Sequence, residues 1–166
     1  SFDKYKGKVG LIRAGAERLG LRCIQATVRD ATGPRDTLEL ADCVLCDVPC
    51  SGFGIIRRKP EIRYKSLKDL DSLPNLQYLI LCKSSNLVKP GGLLFYSTCT
   101  LNPQENGEVA GRFLREHPSF EMYPLALPGN LVRAMEEPKN QLTIFPHMCG
   151  SDGFFVSAFR RKQETL

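Results

Sequence analysis

The 166-residue sequence has no tryptophan and only two histidines, and none of its apolar runs approaches the roughly 20 residues that cross a bilayer. The first residues also lack the pattern of a signal peptide. These absences argue against a membrane-spanning chain and against a histidine-rich metal site. The composition, 42% hydrophobic and 25% charged, is typical of a soluble globular domain and excludes a disordered, low-complexity or coiled-coil chain.

Seven cysteines are present, an odd number, and no secretory pattern accompanies them. They predict reduced thiols and a cytoplasmic protein rather than a disulfide framework. Cys43 and Cys46 have the spacing of a zinc pair, but no second such pair follows. Because they lie in an apolar run, a strand would point the two thiols to opposite faces. We therefore expect no metal site.

The net charge of +5 is confined to residues 57–68, which contain six basic residues and one acid. The remaining residues carry no net charge. A basic run of this kind is usually a solvated surface. Here it also contains Pro60 and Tyr64, so a loop could place an aromatic ring against a base while basic side chains neutralise phosphates.

Apolar periodicity predicts strands that alternate with helices, which favours an α/β fold with a mostly parallel sheet and antiparallel closing strands. Lys89-Pro90-Gly91-Gly92 is predicted to close the long second helix, and residues 119–140 are predicted to be irregular. The predicted strands cover residues 21–28, 41–47, 93–97, 143–145 and 153–159, and the predicted helices cover residues 5–19, 67–88 and 102–117.

The opening residues Ser1-Phe2-Asp3 resemble the end of a strand. In this fold class another strand and a glycine-rich turn would precede them. We therefore expect residues 1–166 to form a single domain that is the C-terminal fragment of a longer catalytic domain, without its first strand and glycine-rich loop.

Chemically competent side chains follow the predicted strands. Asp3, Asp30, Asp47 and Cys99 each lie at or just beyond a strand end. Taken singly, each is more simply interpreted as a helix-capping acid or an inert thiol. Together they favour a ligand site, because open α/β sheets bind ligands at the carboxyl ends of their strands.

The sharpest motif is Asp-Val-Pro-Cys-Ser-Gly-Phe-Gly at residues 47–54. It places Cys50 in a turn after an acid, followed by two glycines that we expect to let a ligand approach the backbone. Ser-Thr-Cys-Thr at residues 97–100 places Cys99 in the next such turn. Two thiols beside an acid suit covalent catalysis in which one thiol attacks and the other assists release.

These motifs resemble the S-adenosylmethionine-dependent RNA cytosine-C5 methyltransferases of the bacterial Sun/Fmu type, which act on 16S ribosomal RNA. The resemblance covers nearly the whole chain and implies a Rossmann-like class I methyltransferase fold. It depends on residues 47–54, Arg-Arg-Lys-Pro at 57–60, Pro-Gly-Gly at 90–92, Ser-Thr-Cys-Thr-Leu-Asn-Pro-Gln-Glu-Asn at 97–106 and Asp-Gly-Phe-Phe at 152–155.

The resemblance implies roles for individual residues. Cys99 matches the nucleophile and Cys50 the thiol that helps to free the product. Asp47 matches the acid that contacts the cytosine and lies close to the methyl donor. Asp3 matches the carboxylate that holds the ribose hydroxyls of S-adenosylmethionine, and Asp30 the one that faces its adenine amine.

A free cysteine has a pKa of about 8.5, so Cys99 needs activation, for which we expect the start of a helix at Pro103 to contribute. The resemblance also favours an RNA substrate, most simply ribosomal RNA, and a monomeric enzyme. Without the glycine-rich loop, the chain is expected to bind the cofactor weakly. The expected RNA-binding residues are Arg57, Arg58, Lys59, Arg63 and Lys65.

Several alternatives stay open. In DNA cytosine methyltransferases the nucleophile is the cysteine of the proline-cysteine turn, which here is Cys50. An amino-methyltransferase is suggested by a similarity of the 47–50 turn to Asp-Pro-Pro-Tyr, but it leaves Cys99 unexplained. A non-catalytic RNA-binding remnant and a transfer RNA methyltransferase are further possibilities. Gly107 replaces an acid usual in the family, which weakens the first turn of the following helix.

Overall fold

The computed structural model of the chain describes residues 1–34, 38–66, 70–126 and 140–163. The chain divides into two compact units, Ser1–Thr37 and Leu38–Leu166. Two sequence predictions fall partly outside the described residues: the beginning of the helix over 67–88, and Lys68 of the basic segment. So does most of the stretch predicted to be irregular, at residues 127–139.

The first unit contains one helix and a two-stranded sheet. Strand β1 (Phe2–Asp3) pairs in parallel with β2 (Thr27–Val28), and α1 (Lys6–Arg18) connects them. The helix agrees with its prediction over residues 5–19. The predicted strand over 21–28 was too long, because only its last two residues pair with β1.

The second unit is built on a five-stranded mixed sheet. Strand β3 (Ala41–Asp47) pairs in parallel with β4 (Val88–Thr98), and β4 pairs antiparallel with β7 (Phe154–Arg161). Strands β5 (Phe120–Met122) and β6 (Gln141–Ile144) both pair antiparallel with β7. The antiparallel closing strands are therefore confirmed, whereas one pairing of this sheet is parallel and three are antiparallel.

The described residues of the second unit also form a 3-10 turn at Pro60–Tyr64, α2 (Leu73–Ser85), a 3-10 turn at Pro103–Glu105, α3 (Gly107–Glu116) and α4 (Pro146–Cys149). One buried cluster joins Leu81 of α2 and Phe113 of α3 to Leu94 and Tyr96 of β4 and to Phe159 of β7. Alternate β4 side chains are fully buried in it, as a strand with one face against helices requires.

Two predicted boundaries are wrong for identifiable reasons. The Lys-Pro-Gly-Gly sequence does not end a helix but lies inside β4, where pairing jumps from Ala41–Val88 to Cys43–Leu93. Gly91, with φ of +79°, supplies the bend of this bulge. The second error is β5, which forms within the stretch predicted to be irregular by pairing with the end of β7.

Cys43 and Cys46 lie on opposite faces of β3, as predicted: Cys46 is buried in the core and Cys43 is exposed. Among the described residues no group of three or more His, Cys, Asp or Glu side chains is placed to hold a metal ion. Among the same residues no helix has the length and apolar character needed to cross a membrane.

Candidate active site

Two cysteine side chains meet at the carboxyl ends of β3 and β4. The parallel register pairs Asp47 with Ser97, so the turns that follow the two strands begin side by side. Cys50 lies in the first turn and Cys99 in the second, and their sulfur atoms are 3.2 Å apart. Because Cys50 and Cys99 are both free and half-buried, this contact is a thiol pair at the edge of the sheet.

Backbone hydrogen bonds tie the two turns to each other. The N–H of Gly54 donates to the carbonyl of Cys99 at 2.9 Å, and the N–H of Gly153 donates to the carbonyl of Gly54 at 2.8 Å. The hydroxyls of Ser51 and Thr100 lie 2.6 Å apart in the buried interior. The cysteine turns and the loop before β7 therefore form one hydrogen-bonded structure.

The glycines of the first turn serve a different purpose from the one predicted. A Cβ on Gly54 would lie 2.0 Å from the carbonyl oxygen of Gly153 and 2.8 Å from that of Cys99. Gly52 adopts a φ of +79°, which side chains other than glycine rarely accept. Gly54 therefore allows the loops to approach each other, and Gly52 allows the turn conformation; the approach of a ligand to this backbone stays a prediction.

The two thiols differ in acidity. The hydrogen bond with Cys50 lowers the pKa of Cys99 to about 7, and the positive charge of Lys59 adds to this, against burial and the nearby Asp47 carboxylate. The same hydrogen bond, together with burial, raises the pKa of Cys50. At pH 7, therefore, about half of Cys99 is thiolate, while Cys50 stays protonated and can donate its S–H to that thiolate.

The helix predicted to activate Cys99 does not start at Pro103. Pro103–Glu105 forms a single 3-10 turn, and α3 begins only at Gly107. The sequence-based mechanism of activation is therefore replaced by two neighbours, the Cys50 thiol and the Lys59 ammonium group.

Asp47 ends β3 at the same edge of the sheet as the thiol pair. Its side chain is exposed, and Oδ1 accepts a hydrogen bond of 3.2 Å from the Ser97 hydroxyl. An exposed carboxylate beside a thiolate is chemically able to interact with a polar ring that enters between them.

The basic segment, residues 57–68, is partly held by contacts within the protein. Arg58 lies 2.7 Å and Arg57 3.6 Å from the carboxylate of Asp152, which is only 5% exposed. Lys65 donates to the carbonyl of Ser51 at 2.9 Å, directly after Cys50.

Other side chains of the basic segment remain exposed. Lys59 and Arg63 are exposed, and neither belongs to an ion pair among the described residues. The Tyr64 ring is 88% exposed, as a ring that stacks on a base must be. Of the expected RNA-binding residues, then, Lys59 and Arg63 have the freest charges.

Asp3 and Asp30 lie together at the carboxyl edge of the two-stranded sheet in the first unit. Oδ1 of Asp3 accepts from the N–H of Tyr5 at 2.8 Å, and its Oδ2 lies 3.9 Å from Lys8. Lys4 and then Thr32 bond the carboxylate of Asp30 and hold its pKa far below the ordinary value. The structure thus brings together Asp3 with Asp30, and Asp47 with both cysteines; one common edge for Asp3, Asp30, Asp47 and Cys99 stays a prediction.

Several residues that support the thiol pair were not singled out from the sequence. Gln77, Glu105 and Asn106 are polar yet almost completely buried beneath the two cysteine turns. Asp152 anchors the basic segment. Glu105, Asn106 and Asp152 could have been identified because they lie inside the quoted motifs. Gln77 lies within an apolar helix, and no feature of the sequence indicated its role.

Comparison with known proteins identifies the family. The family model for 16S rRNA methyltransferase RsmB/F matches residues 1–160. A relative described as probable ribosomal RNA small subunit methyltransferase B, from Bacillus subtilis, is 44% identical over 98% of this chain and 37% of its own length. Ribosomal RNA small subunit methyltransferase F of Escherichia coli is 34% identical over 94% of this chain and 33% of its own length. The chain thus spans about a third of the length of these relatives.

Solved structures show the same fold. NSun6 from Pyrococcus horikoshii, solved with SFG, has a TM-score of 0.80 and 24% identity over 98% of this chain and 41% of its own. The family and its neighbours in fold are S-adenosylmethionine-dependent methyltransferases of the Rossmann-like class I type, as the sequence predicted. The chain belongs to the RsmB/F family of 16S rRNA methyltransferases.

Proposed function

We propose that this chain carries the thiol chemistry of an RNA (cytosine-5)-methyltransferase that acts on ribosomal RNA. The observation that carries the proposal is the contact between Cys50 and Cys99 at 3.2 Å, in which Cys99 is the more acidic thiol. The membership in a family of 16S rRNA methyltransferases supports the RNA substrate. We also propose that the protein is a monomer and that it acts in the cytoplasm.

Carbon 5 of cytosine is a poor nucleophile, which explains the need for a thiolate. Cys99 adds through sulfur to carbon 6 of the ring, and the electron pair of the 5,6 double bond moves toward carbon 5 and ring nitrogen 3. The carboxyl group of Asp47, exposed at the same edge, donates a proton to ring nitrogen 3 and so neutralises the negative charge that the addition creates there. The reaction needs an unpaired or flipped base, because a base stacked in a duplex is out of reach.

Release reverses the addition. A base takes the proton of carbon 5, the bond between carbon 6 and sulfur breaks, and Cys99 departs as a thiolate. The S–H of Cys50 stabilises the departing thiolate through the hydrogen bond already present in the free site. This gives Cys50 a role in release that does not require it to attack the substrate.

The residues proposed to hold S-adenosylmethionine are Asp3, Asp30 and Asp47. Among the described residues, Oδ2 of Asp3 faces only Lys8 at 3.9 Å and so retains capacity to accept from the hydroxyls of a ribose. Asp30 is ionised and partly exposed, which suits an amine donor. The carboxylates of Asp3 and Asp30, both in the first unit, therefore have the acceptor chemistry that the hydroxyls and the amine of the cofactor require, and the cofactor when bound would supply the methyl group.

RNA binding is assigned to the basic segment. Lys59 and Arg63 offer exposed charges, and Tyr64 offers an exposed ring. Arg57, Arg58 and Lys65 contribute charge from positions fixed by Asp152 and Ser51. The segment follows the Cys50 turn directly, so bound phosphates would lie beside the thiol pair.

The test uses a chimera in which this chain replaces the matched region of the Bacillus subtilis relative. It is incubated with S-adenosylmethionine and RNA containing 5-fluorocytosine, from which the fluorine cannot leave as a proton does. We expect a covalent protein–RNA adduct in the chimera, no adduct with Cys99→Ala, and an adduct with ordinary cytosine RNA only in Cys50→Ala. Cys82→Ala, which leaves the site intact, is the control.

Each alternative has its own outcome. If Cys50→Ala abolishes the adduct and Cys99→Ala does not, Cys50 is the nucleophile. If both variants still methylate RNA, the reaction does not use a thiol, as in an amino-methyltransferase. If the chimera methylates neither ribosomal nor transfer RNA while the intact relative does, the chain is a non-catalytic remnant; preference for transfer RNA would correct the substrate.

A further inference from the structure

A buried carboxylate lies directly under the Cys50 turn. Glu105 is 0% exposed, and its Oε2 accepts from the backbone N–H of Ser51 at 2.8 Å and from the amide of Gln77 at 2.9 Å. Its Oε1 accepts from the side-chain amide of Asn102 at 3.0 Å. Every bond joins a neutral donor to the carboxylate, and none of the ion pairs among the described residues includes Glu105.

The same group reaches the other side of Cys50. The amide nitrogen of Gln77 that donates to Glu105 also donates to the carbonyl of Pro49 at 2.9 Å. Pro49 and Ser51 are the two chain neighbours of Cys50. The turn is therefore held on both sides of the thiol by one buried carboxylate and one buried amide.

Asn106 does the same for Cys99. Its Oδ1 accepts from the hydroxyl of Thr98 at 2.6 Å, and its Nδ2 donates to the carbonyl of Thr100 at 3.0 Å. Thr98 and Thr100 are the chain neighbours of Cys99, and Asn106 is only 2% exposed. Two consecutive residues thus hold two turns that are 49 residues apart in sequence.

Burying a carboxylate without a cation is costly, and acids are rarely found in such places unless the arrangement serves a purpose. An apolar residue would fill the space without that cost, but it could not hold the Ser51 N–H. A hydrogen-bonded network fixes a turn to within a few tenths of an ångström, which apolar packing alone does not specify as sharply.

We propose that Glu105 and Asn106 are positioning residues that hold the two thiols in register, so that the sulfur atoms of Cys50 and Cys99 remain in hydrogen-bond contact. Glu105 holds the Cys50 turn by its own hydrogen bond to Ser51 and, through Gln77, by the hydrogen bond to Pro49. Asn106 holds the Cys99 turn by its hydrogen bonds to Thr98 and Thr100, the two neighbours of Cys99. Neither side chain contacts the reacting groups. The catalytic significance of the register depends on the proposed function, whereas the register itself is measurable without RNA or cofactor.

The test measures the effective concentration of the Cys50–Cys99 pair by equilibrium with glutathione. In this exchange oxidised glutathione takes up two electrons, the two thiols lose two protons and form one disulfide, and two molecules of reduced glutathione appear. Peptide mass spectrometry of the chain quantifies this disulfide separately from the other five cysteines. We expect Glu105→Ala and Asn106→Ala each to lower the effective concentration at least about tenfold.

Conservative and matched variants separate positioning from stability. Glu105→Gln retains an oxygen that can accept from Ser51 and Gln77, so the effective concentration of the thiol pair should fall by less than about threefold in this variant. Glu108→Ala, at an exposed acid in the first turn of α3, should change nothing. Val109→Ala, in the buried core of the same helix, should lower stability without changing the effective concentration. Gln77→Ala takes the place of Glu105→Ala if the latter does not fold.

Unchanged effective concentration in folded Asn106→Ala and in folded Glu105→Ala or Gln77→Ala would overturn the inference. An equal decrease in Val109→Ala would do so as well, because the effect would then follow stability alone. A chimera that fails to methylate while these variants lower the effective concentration leaves the inference standing and defeats the proposed function. If instead the chimera methylates RNA but these variants leave the effective concentration unchanged, the inference fails and the proposed function stands.

Discussion

At the scale of single residues, the site is defined by an asymmetry between two chemically identical side chains. Cys50 and Cys99 share one hydrogen bond, yet the pKa of Cys99 falls while that of Cys50 rises. Lys59 lies near enough to favour the anion on Cys99. The structure therefore supports the assignment of Cys99 as nucleophile without reference to any substrate.

The acidity of Cys99 should depend on its partner. In the unaltered chain, alkylation of Cys99 by iodoacetamide should reach half of its maximum rate near pH 7. Cys50→Ala removes the largest cause of the lowered pKa, while burial and Asp47, which raise the pKa, and Lys59, which lowers it, remain. The midpoint should therefore move upward from pH 7 toward the ordinary range of a cysteine, as followed by peptide mass spectrometry.

Cys43→Ser, at an exposed thiol of β3, is the control and should leave the Cys99 midpoint near pH 7. A midpoint that stays near 7 in Cys50→Ala would mean that another group activates Cys99.

The sequence was sufficient to place the candidate catalytic residues, but not the residues that support them. Cys50, Cys99 and Asp47 follow apolar strands, and that local pattern is sufficient to place them at one sheet edge. The hydrogen bonds of Glu105 and Asn106 are visible only after the turns have met, because each joins residues distant in the chain. Activation by Lys59 rather than by a helix was likewise beyond a local reading.

At the scale of elements, the site depends on how closely the loops approach one another. Gly54 contacts the backbone of both Gly153 and Cys99, and it bonds to both. Strand β3 was predicted with the correct ends because an apolar run and a turn motif bound it. The start of β4 was not, because Gly91 bends the strand without ending it.

Substitution of Gly54 should be severe. In Gly54→Ala the added Cβ would lie 2.0 Å from the carbonyl oxygen of Gly153, so backbone must move. We expect the free energy of unfolding to fall by about 3 kcal/mol or more, measured by urea denaturation.

Gly111→Ala, in the interior of α3 and in the same unit, is the matched control. Its Cβ would meet only the flexible side chain of Arg115 at 3.4 Å, so the protein should gain up to about 1 kcal/mol from the better helix former. Equal effects of the two substitutions would show that the loops do not pack as described.

Two properties of the basic segment must be tested separately: the positive charge that it offers to RNA, and the ion pairs with Asp152 that hold it in place. Arg58→Ala would remove a phosphate contact and also strip the buried Asp152 of its 2.7 Å partner. Arg63→Ala removes charge alone. In the chimera it should reduce the slope of log affinity for RNA against log salt concentration by about 0.7 for each lost contact with single-stranded RNA.

Lys83→Ala, an exposed cation of α2 outside the basic segment, should leave the salt slope unchanged. If Arg63→Ala and Lys83→Ala behave alike, the basic segment is a solvated surface rather than an RNA contact.

At the scale of the whole molecule, the two compact units differ greatly in internal support. Among its described residues the first unit buries three apolar side chains, those of Val9, Ala16 and Ala26, whereas the second has a core built from four strands and two helices. The single domain expected for residues 1–166 stays a prediction.

This difference should appear in amide hydrogen exchange of the chain. Amides of β4, which pair with neighbours on both edges, should be the slowest to exchange. Amides of α1 and of the pair β1–β2 should exchange faster by at least about a hundredfold, because so little apolar surface protects them. Mass spectrometry after brief exchange distinguishes these peptides, and equal protection would contradict the division.

The adjacency of Glu105 and Asn106 has a consequence for how the sequence can vary. Two independent turns are held by neighbours in one stretch of chain, so inserting or deleting one residue between Cys99 and Asn106 would shift both side chains relative to both turns at once. Substitutions at the exposed Pro103 and Gln104 are compatible with the site, whereas changes in the length of the interval are not. The length of the interval therefore determines the distance between the two sulfur atoms.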